Sequence, residues 1–143
     1  MALIEAPARA AHLFELLVEA GYPELQERIW VHHERVADVS YSFIDLMVEL
    51  FDNENLPQAV GEGFARYGLD ASLQPLLQQF CAAADAYQVP ALAQRGWNPR
   101  YILADPAWAN VAAAARAVVE AWLEVSPRMA LRSPLYLALQ AQG

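Results

Sequence analysis

The stretch DPAWANVAAAARAVVEAWLEV, Asp105 to Val125, constrains the fold more than any other part of the chain. Asp before Pro is a helix-start signal: the carboxylate caps, and proline loses nothing in the first turn. Trp108, Val111, Ala115, Val118, Val119 and Trp122 then recur at steps of three and four, which places them on one face of a helix. The spacing predicts a long helix from Pro106 to about Val125. Its back is mostly Ala113, Ala114, Ala117 and Ala121, a bare surface that another helix can approach closely or that water can cover cheaply.

The same grammar extends along the chain. Asn98–Pro99, Ser126–Pro127 and Ser133–Pro134 repeat the cap-then-proline device. Alanine and leucine contribute 28 and 19 residues, whereas valine and isoleucine together contribute only 15, and no stretch alternates as a strand would. A first helix is expected from Ala8 to Ala20, closed by Gly21, with Ala10, Leu13, Phe14 and Leu17 inward. Pro23 opens a second, extending toward Phe51 with a bend near Ser40. Pro57 opens a third that closes at Gly68. Ser72 caps a fourth that carries Leu73, Leu76, Leu77, Phe80, Ala84 and Tyr87 on one face. The reading is a single all-α domain, residues 1–143, packed as a helical bundle of about five to seven helices.

Charge narrows the partners. The formal net charge is −8. Residues 1–62 carry 12 acidic and 3 basic side chains, and residues 63–143 carry 5 and 6. Such a field repels phosphate backbones, so nucleic acid is an unexpected partner and a basic protein surface a suitable one. No apolar run reaches the ~20 residues that cross a bilayer, and the basic n-region of a signal peptide is missing. Cys81 is the sole cysteine, so no internal disulfide forms. The expectation is a cytoplasmic protein that does not engage membrane.

Candidate chemistry concentrates in RIWVHHERVADVSYSFIDLMVELFD, Arg28 to Asp52. On one continuous helix, Ile29, Val36, Val39, Phe43, Met47 and Leu50 form an apolar stripe flanked by His32 and His33. Glu34, Asp38, Asp45, Glu49 and Asp52 form an acidic ridge opposite. Adjacent histidines point about 100° apart and cannot easily grip one ion. A ferritin-like centre would need two Glu-x-x-His pairs, and His12, placed outward with Glu15 and Glu19, supplies none. No metal and no cofactor is expected, and the histidines are read as scaffolding. Cys81 reads as a small buried thiol rather than a nucleophile. The carboxylates read as solvated, none standing in an apolar setting that would raise its pKa. Trp30, Tyr41 and Val48 fall among the acids, which suggests either internal burial or an interface.

Three sets of residues are therefore candidates for binding. The acidic ridge is one. Arg95, Trp97, Arg100 and Tyr101 form an Arg/aromatic segment of interface-like composition. Trp30, His33, Phe43, Trp108 and Trp122 could line an apolar pocket. The preferred expectation is a non-catalytic interaction or regulatory protein, inhibitor- or immunity-like, that binds a protein partner, with a homodimer as a further possibility. The alternative is a small-molecule-binding helical domain.

Overall fold

The computed structural model describes residues 6–36, 42–62, 64–94 and 98–141. Among them the chain is all-α, with nine α-helices and no strand. These are α1 (Ala6–Gly21), α2 (Pro23–Gln26), α3 (Phe43–Met47), α4 (Leu56–Gly61), α5 (Gln74–Ala86), α6 (Ala91–Gln94), α7 (Pro99–Leu103), α8 (Pro106–Val125) and α9 (Pro134–Gln140). Two of them run on as π-helical turns, Glu27–Val31 after α2 and Val48–Asn53 after α3. Three 3-10 turns complete the trace: Ala65–Tyr67, Ala71–Leu73 and Pro127–Arg132.

Helix α8 has the bounds its sequence predicts, and all six residues of its stripe are buried. It lies between α1 and α5 and packs against both. Ala10, Leu13, Phe14 and Leu17 of α1, with Leu77, Phe80 and Ala84 of α5, complete one hydrophobic cluster that runs from Ala10 to Leu135. Where α1 meets α8 the backbones almost touch. A Cβ on Gly21 would sit 2.9 Å from the Arg116 nitrogen, and the Arg116 Nε donates to the Gly21 carbonyl at 3.0 Å. Gly21 is thus more than a stop signal; it makes room for α8.

Three of the four cap-then-proline pairs work as expected. Asn98, Asp105 and Ser133 accept from the backbone N–H of Arg100, Ala107 and Tyr136. Ser126 makes no such bond. Nor does Ser72 cap α5, the helix expected to follow it: Asp70 caps the 3-10 turn Ala71–Leu73 that leads into α5, accepting from the Ser72 N–H at 2.9 Å, and α5 itself has no side-chain cap.

The larger correction concerns the second helix. It does not continue from Pro23 to Phe51. It ends at Val31, and His33 lies at φ 56, a left-handed conformation that breaks a right-handed helix. A new helix begins at Phe43, capped by Ser42, whose Oγ accepts from the Asp45 N–H at 3.1 Å. The single wheel that aligned apolar stripe and acidic ridge therefore spans two separate helices.

Candidate functional site

The segment Phe43–Asn53, α3 and its π-turn, builds the most distinctive surface. Phe43, Leu46 and Leu50 point into the core. The next positions round the helix are also apolar, yet remain partly or largely outside. Met47 and Phe51 are half-buried, while Ile44 and Val48 are 36% and 39% exposed. Ile44, Met47, Val48 and Phe51 stand at i, i+3, i+4 and i+7, so they form a continuous strip. Its second wall is the end of α5 and the chain beyond, with Ala84, Asp85, Tyr87 and Val89. The result is an open groove of two lobes, about 290 Å³ and 320 Å³, that share Phe43, Met47, Phe51 and Val89. Asp52 stands at one rim and Asp85 at the other, both exposed.

The floor of this groove is held from below. Phe43 packs edge-on to Trp108 at 5.3 Å, to Trp30 at 6.0 Å and to Tyr87 at 6.1 Å between ring centroids. Both indoles beneath the groove, Trp30 and Trp108, have a polar partner, as a buried N–H requires. Trp30 Nε1 donates to Glu19 Oε2 at 2.9 Å, and Trp108 Nε1 donates to Gln26 Oε1 at 2.8 Å. The fully buried Gln26 then donates to the Glu19 and Ala20 carbonyls, both at 2.9 Å. Those carbonyls lie in the last turn of α1, where no further helical N–H is available. The Tyr87 hydroxyl donates to Asp105 at 3.0 Å, and burial with that carboxylate pushes its pKa up.

The predicted ridge is dispersed. Asp45 and Asp52 are exposed on the Phe43–Asn53 segment. Glu49 instead faces α1: His12 Nε2 lies 3.3 Å from it, and the Asn53 amide donates to it at 2.8 Å. Glu34 follows the break at His33 and pairs with Arg28 at 3.2 Å. Asp38 lies outside the described residues, as do Tyr41, Arg95 and Trp97. Of the Arg/aromatic segment, Arg100 and Tyr101 are described, and both are exposed on the short α7.

The five pocket candidates do not gather round one cavity. Trp30, Phe43 and Trp108 converge, but they fill the space with one another's rings. Trp122 packs edge-on to Phe14 at 5.3 Å and lines a different cleft of about 250 Å³, with Tyr67, Asp70 and Met129. His33 is exposed, and so is His32, whose ring lies 3.7 Å from Glu27. Neither imidazole is scaffolding.

The expectation for the α1 carboxylates also fails. Glu19 is completely buried against Trp30. Glu15 turns toward α9, where the Ser133 hydroxyl and the Leu135 N–H donate to it, and burial holds its pKa above the usual carboxylate value. Sequence spacing did carry a hint, because Glu15 and Glu19 stand four apart and flank the Leu16–Leu17–Val18 run.

Cys81 is buried, and burial pushes its thiol up to about 11, away from nucleophilic reactivity. Among the described residues, no group of three or more His, Cys, Asp or Glu could hold a metal ion, and no helix is long and apolar enough to cross a membrane. No family model, no curated protein and no solved structure matches the chain.

Proposed function

We propose that this chain is a protein-binding module, acting by contact rather than by catalysis, and that its contact face is the groove walled by Phe43–Asn53. One observation carries the reading. An apolar strip, Ile44, Met47, Val48 and Phe51, stays open at the surface while Asp45, Asp52 and Asp85 border it. A hydrophobic centre with a polar rim is the usual anatomy of a binding patch. The net charge of −8 adds a long-range field that would draw a basic partner and speed its association. An inhibitor- or immunity-like role, covering a basic surface on another protein, fits this chemistry.

The π-turn supports the same choice. Glu54 N–H reaches back five residues to the Glu49 carbonyl at 2.8 Å, so the last turn of the groove wall is wide. Such turns cost backbone geometry and occur often at functional positions.

Affinity capture from the cell that makes the protein tests the proposal. Wild type should retain a protein that V48E and D52R both lose, and its retention should weaken as salt rises. A partner retained equally by all three would exclude this face. The small-molecule reading rests on the Trp122 cleft of about 250 Å³ and on the 320 Å³ lobe of the groove itself, but both are open at the surface, whereas ligand pockets close round most of their ligand.

A further inference from the structure

The groove also specifies what kind of element fills it. We infer that the occupant is a cationic amphipathic α-helix supplied by a partner protein. This rests on the reading of the Phe43–Asn53 face as a protein contact and adds the shape and charge of the partner to it.

Shape is the first ground. The groove runs between the Phe43–Asn53 helix and the end of α5 with the chain just beyond it, and has two lobes side by side. Adjacent apolar lobes suit anchors one turn apart on a helix, spaced i and i+3 or i+4. An extended strand would need a free sheet edge for its backbone bonds, and the described residues contain no strand. Charge is the second ground. Asp52 and Asp85 stand on opposite rims, and Asp45 lies beyond Val48. The described lining residues of both lobes include no Arg and no His. Cations on both flanks of an apolar stripe would therefore meet carboxylates on both sides.

The same charges disfavour a second copy docked face to face. A two-fold contact would bring the acidic rims of two copies together, like charge against like, with no Arg or His in the described lining to offset them. They also disfavour a nucleic-acid strand.

A designed helical peptide of about 18 residues is the probe, long enough to hold its fold when helix-stabilised. Leucines occupy one stripe and arginines flank it. A scrambled peptide of the same composition and a peptide with glutamates for the arginines are the controls. Titration into the 143-residue chain, read by calorimetry, is expected to show binding at least about tenfold tighter than the scramble, and none for the acidic control. I44E and V48E should each lose at least about tenfold. D52R/D85R should lose affinity and flatten the salt dependence. All these positions are exposed, and circular dichroism checks that each variant is folded.

Equal affinity for scramble and helix would overturn the inference, because bare charge would then suffice; the protein-contact reading would survive if capture still depends on Val48. Absence of peptide binding would overturn it as well. So would a concentration-dependent dimer, seen by sedimentation and dissolved by V48E, since a second copy would then be the occupant.

Discussion

Gln26→Leu is the most instructive perturbation of the groove floor. The side chain is fully buried and serves three groups at once, the Glu19 and Ala20 carbonyls and the Trp108 indole N–H. Leucine keeps roughly the volume, so cavity formation contributes little. It leaves those three groups without their partner in a dry interior. Each costs about 1–3 kcal/mol, and relaxation makes the sum less than additive, so a loss of about 3–5 kcal/mol is expected. Against a total stability of about 5–15 kcal/mol this is severe, and Tm should fall by about 10 °C or more. Urea denaturation followed by tryptophan fluorescence measures it. Trp108→Phe closes the test as a double-mutant cycle. Once Gln26 is gone, the indole N–H has already lost its partner, so removing it should cost at least about 1 kcal/mol less than in wild type. A Gln26→Leu loss under about 1 kcal/mol, or an additive cycle, would refute the idea that this one amide ties α1 to the aromatic cluster.

Three further outcomes are expected. Gly21→Ala places a methyl 2.9 Å from the Arg116 backbone and should cost about 1–3 kcal/mol by denaturation, whereas a stabilised variant, as helix propensity alone would give, contradicts the close approach of α1 and α8. Asp105→Ala removes both the α8 cap and the Tyr87 partner and should lose about 1–3 kcal/mol, while Ser126→Ala, which deletes no cap bond, should stay within about 0.5 kcal/mol. Glu15 has a folded pKa raised from 4.5 by burial, so the native state holds its proton longer than the unfolded chain does. Stability from this group is therefore present below pH about 4.5 and lost as pH rises through the raised folded value. The difference in unfolding free energy, wild type minus Glu15→Gln, should fall across that window; a rise would contradict the sign.

The sequence was most readable where one helix is long and continuous. The Asp105–Pro106 start and the three-four spacing to Trp122 lead directly to α8, and Ala10, Leu13, Phe14 and Leu17 lead to the inner face of α1. It misled where continuity was assumed. Val31 and Phe43 belong to different helices because His33 takes a left-handed backbone, a choice no glycine or proline announces. The acidic ridge lost Glu34 and Glu49 to that break and to His12. Val48 was the useful anomaly, an apolar residue set among acids, and it is exposed at the groove. Tyr87 and Val89 could not be assigned to that groove from spacing, since they reach it from the chain just beyond α5, more than thirty residues along the sequence. Burial of Glu15 and Glu19 is a tertiary effect too, created by Ser133 and Trp30, residues distant in sequence.

Site-specific photo-crosslinking in the cell that makes the protein tests the contact face most directly. A photoreactive phenylalanine analogue replaces Val48 in one variant, Tyr101 in a second and Arg132 in a third, all exposed positions. The expected result is a discrete protein adduct from position 48 and none from 101 or 132. Adducts from 101 or 132 without one from 48 would contradict the assignment of the groove as the contact face.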